Sequence, residues 1–345
     1  MKTEVIRNPH KNILHNRIKT FIDKKLSDEY VQDLFNLSEN YMWRVEKARK
    51  ELVSVRNWEN YFTKILYRPF DVREVFYHKS VVWRTREKVM RHLLKPNIAL
   101  LSMRQVSLER TYTHALVSEN IVDNRLFLSS KGIVQVFPLF TYKNNERISN
   151  AINHIFALMK DTYGENIDDE ELFHYIYAIL YSNFYREKYE EFLKIDFPRI
   201  PFTKDYELFL NMGKLGKKLV DLHLMKSMEL DDTIAKFQGQ GDNIIIKPVY
   251  DEANKFVYIN KIQYFGDIGR DVWEYHIGGY QVLNKWLKDR RKRKLSLDEI
   301  KHYCKIVTVI KKTMEIQEDI DDLYQDIETD IIEFKKDNNL DQYFE

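Results

Sequence analysis

Apolar residues recur at helical spacing near the start of the chain, at Leu26, Tyr30, Leu34 and Leu37, and residues 43–52 follow as a segment rich in paired charges. Intervals of three and four place side chains on one helix face, so the first 60 residues read as helices. From Tyr61 to Tyr142 the pattern changes to short runs rich in Val, Ile, Phe and Tyr. Residues 72–83, 98–106, 114–118 and 133–142 read as strands, separated by a small helix at 87–94. Together they make an α/β module whose turns carry polar side chains.

Helical periodicity returns over 149–194, where Asp168 is placed to cap a helix carrying Phe173, Ile176, Leu180 and Phe184. Residues 197–203, FPRIPFT, must be extended, because Pro198 and Pro201 each bias the preceding residue away from the α region. Thr203 is the expected N-cap of a helix over 204–228, along which Leu208, Met212, Leu215, Leu219 and Leu222 form one stripe. The C-terminal segment offers a partner over 297–336. There Ile300, Tyr303, Val307, Ile310 and Met314 keep the spacing, and Ile316, Ile320, Leu323, Ile327 and Phe334 resume it after a phase shift. The two helices are expected to pack on each other; the alternative is that each covers a different sheet. Between them, β-rich runs within 243–260 flank residues 251–255 as a hairpin. The expected fold is α+β and helix-rich: a mixed α/β module, long helices packed as a helical spacer, and a β-hairpin insertion. Five segments follow: 1–60, 61–145, 146–236, 237–295 and 296–345.

At 345 residues, with 44% hydrophobic and 31% charged residues, the chain has the composition of a folded protein and not of a disordered one. Aromatic residues are in excess at 14%, with 22 Tyr and 20 Phe; tyrosine suits both cores and wet interfaces. The single Cys304 excludes an internal disulfide and a thiolate zinc site. No signal peptide or membrane-length apolar run is evident, so the expected location is cytoplasmic.

Enzyme signatures are missing from the sequence. The Gly pairs at Gly239 with Gly241 and at Gly278 with Gly279 lack the strand-turn-helix setting of nucleotide motifs. The ten histidines are scattered without metal-ligand spacing, and the acid pairs Asp168 with Asp169 and Asp231 with Asp232 fit helix starts and loops. No metal and no catalytic residue is therefore assigned. What stands out is charge: with a net of only +2, the run Lys288, Arg290, Arg291, Lys292, Arg293 and Lys294 is a local excess, fitting either a phosphate backbone or a solvated turn. In the α/β module, Arg84, Arg86, Arg104 with Gln105, and Asn124 with Arg125 fall at strand ends or turns. Arg reads guanine and Asn or Gln reads adenine by paired hydrogen bonds, although any surface carries such residues.

Seven blocks carry a family pattern: YRPFDVREVFYH (67–78), VVWRTREKVMRHLL (81–94), FPLFTY (137–142), YIYAILYSNFYREKYEEFLKIDFPRIPFT (175–203), GKLGKKLVDLHLM (213–225), YINKIQYF (258–265) and IGGYQVLNKWLKDR (277–290). In this order they resemble the C-terminal specificity domain of Type ISP restriction-modification enzymes, from about residue 60 to about residue 320. The resemblance implies the target recognition end of a polypeptide that also carries a nuclease, a helicase-like translocase and an adenine-N6 methyltransferase. S-adenosylmethionine, ATP and magnesium would then belong to those other regions and no cofactor to this chain; no Asn-Pro-Pro-aromatic motif occurs, and RNPH at 7–10 does not replace it. The implied partners are double-stranded DNA and the methyltransferase domain of the same or an adjacent polypeptide. Individual base-reading residues do not transfer. The candidates for DNA binding are accordingly Arg84, Arg86, Arg104, Gln105 and Arg125 on bases, and Lys288, Arg290, Arg291 and Arg293 on phosphates. The rival reading is a helical protein-protein docking or scaffold subunit without base readout.

Overall fold

The computed structural model describes residues 11–106 and 111–333, with the backbone of Arg7 and Asn8. The helices Lys11–Phe21, Asp28–Leu34 and Val45–Val53 bury Leu14, Ile18, Val31 and Leu52 in a small core of their own, which also takes in Phe76 and Val81. A second core runs from Leu66 to Ile332 through most of the later elements.

Strand Phe62–Arg68, for which the apolar pattern gave no sign, pairs antiparallel with Asp71–Phe76 and parallel with Ile121–Val122. The expected strand over 72–83 stops at Phe76. Its second half turns, with the Val81 and Val82 N–H groups donating to the His78 carbonyl, and the Ser80 carbonyl accepts a 2.7 Å bond from the Trp43 indole. The expected strand over 133–142 is two strands, Gln135–Pro138 beside Ala99–Ser102, and Phe140–Lys143 folded onto Glu146–Ser149. Asn144 and Asn145, at φ 50° and 70°, make the tight turn between the latter two, a conformation that asparagine tolerates better than most residues.

In the helical half, Asp168 caps Asp169–Tyr181 through a reciprocal capping box with Glu171, as its position predicts. The helix is buried on most sides, and the tyrosine excess is largely explained here and just beyond. Tyr175 donates to the Pro201 carbonyl at 2.9 Å, Tyr181 to that of Ala115 at 3.0 Å and Tyr185 to that of Arg199 at 2.9 Å. Two of these carbonyls, those of Arg199 and Pro201, belong to a segment that prolines keep out of any ladder.

Helix Tyr206–His223 is capped by Asp205 and not by Thr203, whose hydroxyl instead accepts the Asp205 N–H at 3.1 Å. It packs on the C-terminal helix as expected, but also on Asp169–Tyr181, which it meets at Gly216. The C-terminal helix, Leu297–Ile327, opens on a Ser296 and Glu299 capping box and ends short of 336. Past it, the Ile332 N–H donates to the Phe202 carbonyl at 2.7 Å; Phe334 lies outside the described residues. The hairpin expected within 243–260 is present as Val249–Asp251 and Phe256–Tyr258, inside a four-stranded sheet completed by Tyr264–Gly266 and Lys236–Gln238.

Candidate nucleic-acid interface

Helix Val282–Lys288 turns Val282, Leu283, Trp286 and Leu287 into the core and hands the chain to the basic run. The run is not one solvated patch. Arg290 is only 4% exposed, its Nη2 and Nη1 lying 2.8 and 3.1 Å from the two Asp71 carboxylate oxygens and its Nε 3.2 Å from Glu299. The guanidinium also stacks 3.6 Å above the Trp286 ring. Burial alone would raise the Asp71 carboxyl, but Arg290 and then Arg73 outweigh it and hold the group well below the usual carboxylate range. Arg290 is therefore a core ion pair and is withdrawn as a phosphate contact: a guanidinium with two buried carboxylates has no reason to leave them. Arg293 is half-buried and paired with the same Glu299.

Lys288, Arg291, Lys292 and Lys294 are exposed, and of these Lys288 and Arg291 face a common hollow. With Lys247, Pro248 and Asn284 they line a hollow of about 390 Å³ that has three cations and an amide on its walls and no carboxylate. Arg291 is steadied by its Nε donating to the Ile246 carbonyl at 2.9 Å, and the neighbouring Asp289 is engaged by Lys285 at 2.5 Å. Lys247 and Asn284 carry no motif, and nothing in their sequence context singles them out.

The α/β module places its candidates unequally. Arg84 and Arg86 both adopt φ 54°, an uncommon conformation for a side chain branching this far from the backbone. Arg84 is exposed beside Trp83, itself 51% exposed, with the guanidinium 6.0 Å from the ring. Arg86 Nη2 donates to the Val134 carbonyl at 3.0 Å, while Nη1 is buried and meets no partner among the described residues. Burial accordingly lowers its proton affinity. Arg104 is exposed and spans 3.1 Å to Asp196; Gln105 is exposed beside it. Arg125 is exposed, Nη1 donating to the Ser129 carbonyl at 3.1 Å.

Contacts join part of this set to the basic turn. The Val134 N–H reaches the Asn124 carbonyl at 3.4 Å, the Tyr280 hydroxyl reaches that of Arg125 at 3.4 Å, and Lys285 lies 5.4 Å over the Tyr280 ring. Arg86 and Arg125 are thus joined through Val134 and Asn124, and Arg125 through Tyr280 and Lys285 to helix Val282–Lys288, which leads to the hollow. Arg104 pairs with Asp196 instead. Among the described residues there is no group of three or more His, Cys, Asp or Glu that could hold a metal ion, and no helix long and apolar enough to cross a membrane.

Residues 3–319 match the family model of the Type ISP C-terminal specificity domain. Solved structures share the fold. The ATP-dependent Type ISP restriction-modification enzyme LlaBIII bound to DNA superposes with a TM-score of 0.70 at 20% identity, over 92% of this chain and 22% of that one. The DrdV-DNA complex gives 0.72 at 20% identity, over 92% and 34%. A nuclease-deletion mutant of the Type ISP enzyme LlaGI with a DNA substrate mimic gives 0.65 at 18%, over 92% and 27%. The chain thus spans between about a fifth and about a third of the length of these proteins. No curated protein sequence matches it.

Proposed function

This chain belongs to the Type ISP C-terminal specificity domains, and from that premise we propose that it binds duplex DNA in a sequence-specific manner and holds the target site for methylation and restriction by other domains. The observation that carries the reading is the hollow of Lys247, Lys288 and Arg291, three outward cations with no carboxylate among them. Such a site has no internal reason to exist, since surface cations in folded proteins ordinarily find acidic neighbours or spread apart; a phosphodiester supplies the missing charge. Arg86, in the α/β module, supports it as a guanidinium half-withdrawn from water and bonded to a carbonyl instead of a carboxylate.

The division of labour follows from chemistry. Lys288, Arg291 and Lys247 set register by gripping phosphates, while Arg84, Arg86, Arg104, Gln105 and Arg125 are the side chains able to tell base edges apart. The methyltransferase domain of the same or an adjacent polypeptide is the proposed partner, and S-adenosylmethionine, ATP and magnesium act there. Holding the duplex to one side of the target adenine leaves that base free to be extruded from the stack.

Selection from a random duplex library tests this. The wild-type chain is expected to enrich one motif, and single alanine substitutions at the five reading positions to relax it at one base pair each, at a cost of about 1–3 kcal/mol on the cognate site alone. Enrichment of no motif contradicts sequence-specific binding. An unchanged motif in all five variants moves readout elsewhere, first to the hairpin within 243–260.

A further inference from the structure

The small sheet next to the basic hollow has two unlike faces. Inward, Tyr250, Val257, Phe265 and Phe237 lie across its four strands; Tyr250 stacks on Trp273 at 5.4 Å and Phe265 on Tyr303 at 4.2 Å. Outward, the next row in register is Val249, Tyr258, Tyr264 and Gln238. Phe256 joins it, its ring stacked on Tyr264 at 4.1 Å, and Tyr258 stands 5.1 Å from Tyr264 on the other side. An outward row of three aromatic rings is unusual on a solvent-facing sheet, where alternation should deliver polar residues.

At one end of this row a hollow of about 840 Å³ opens, with Ile246, Val249, Tyr258 and Ile262 on its walls. Ile246 is 57% exposed and Ile262 61%. Its amides are committed elsewhere, the Gln263 side chain being tied to Asn243 at 2.7 and 2.9 Å and to Asn260 at 3.0 Å; Asp242, also on the wall, accepts the Ile244 N–H at 2.9 Å through one carboxylate oxygen. The cations on its rim are Lys247 and Lys261, and Lys247 also lines the basic hollow. An apolar, partly aromatic recess whose amides are already paired thus abuts a cationic one through a shared lysine.

We propose that this face binds an unpaired strand of DNA, with a base laid against Tyr258 and Ile262 and its phosphate in the hollow of Lys247, Lys288 and Arg291. The inference rests on the reading of this chain as a DNA-binding module and adds a second ligand state to it. Aromatic faces beside a cationic track are how single strands are held without sequence preference, because every base has a π-face and every nucleotide a phosphate. The committed amides of Asn260 and Gln263 fit such tolerance. A protein partner would account for the apolar recess, but not for a carboxylate-free cluster of three cations continuing it.

The test is fluorescence anisotropy of the full chain with labelled oligo(dT) of about a dozen nucleotides, within the range of known single-strand site sizes, and with a duplex of similar length. Oligo(dT) is expected to bind. Tyr258→Ala and Ile262→Glu should each weaken that binding about tenfold or more, as loss of one base stack does, with duplex affinity changed less than about twofold; Tyr258→Phe should bind like wild type. Ile262 is largely exposed, so Ile262→Glu keeps the test valid if Tyr258→Ala fails to fold. Wild-type chain that binds duplex but not oligo(dT) overturns the proposal, returns the face to a protein partner and leaves duplex binding standing. Equal oligo(dT) binding by Tyr258→Ala or Ile262→Glu and wild type also overturns it, by reducing the attraction to charge. Binding of neither DNA removes both this proposal and the reading beneath it.

Discussion

Arg290 and Arg291 are neighbours in one basic run and have opposite roles, the first sealed against Asp71 and Glu299, the second turned to the Lys247 hollow. Arg290→Ala should destabilise the chain by about 3 kcal/mol, because it removes the guanidinium shared by Asp71 and Glu299 and leaves each only its second arginine, Arg73 or Arg293, whereas Arg291→Ala should stay within about 0.5 kcal/mol. Denaturant unfolding measures both; equal midpoints would show Arg290 to be a surface residue. Two buried histidines predict a pH effect. Burial depresses His223, between the Tyr177 hydroxyl at 2.6 Å and the Thr313 hydroxyl at 2.9 Å, to about 3, and His114 to about 4. The unfolded chain takes up these protons near pH 6.5 and the folded chain does not, so their contribution is complete above about pH 6.5 and is lost progressively as pH falls toward the folded values. Melting temperature should therefore fall between pH 7 and pH 5, and more shallowly in His223→Gln. A flat profile would mean that both imidazoles remain accessible to protons.

At the scale of elements, the tightest joint is where helix Tyr206–His223 crosses Asp169–Tyr181. A Cβ on Gly216 would stand 1.9 Å from the His174 carbonyl oxygen, so the helices touch backbone to backbone. Gly216→Ala should gain about 1 kcal/mol in helix propensity and lose more by forcing the helices apart, for a net destabilisation of about 1–3 kcal/mol; a higher melting temperature would show the joint to be loose. Local features of this kind divide by how they are encoded. The Asp168 cap, the 243–260 hairpin and the 206–223 stripe were legible because each is written within a few consecutive residues. The Asn144 and Asn145 turn was equally local but lies past the expected 133–142 strand; the break within that strand falls at Leu139, where the unbroken β-rich texture hid it. Strand Phe62–Arg68 was missed because its burial does not alternate: only Leu66 is fully buried. One partner, Asp71–Phe76, follows directly after Pro69 and Phe70, but the other, Ile121–Val122, lies where periodicity has no reach.

Across the whole molecule, Arg290 and Asp71 are separated by 219 residues and yet meet in the core, fixing the basic turn against the first sheet. No charge count can say which arginine of a run turns inward, so the candidate site was legible only as a list of residue types. The fold selected among them: Lys288, Arg291 and the unforeseen Lys247 share a hollow, Arg86 and Arg125 are joined through Val134 and Asn124, and Arg290 leaves the set. If that hollow grips DNA phosphates, each lost contact should lower the slope of log affinity against log salt by about 0.9. The most direct measurement is that slope for a duplex, in wild type and in Lys247→Ala, Lys288→Ala, Arg291→Ala combined. The slope is predicted to fall by about two to three units with an unchanged melting temperature; an equal slope in the two proteins would contradict the assignment of this surface to DNA.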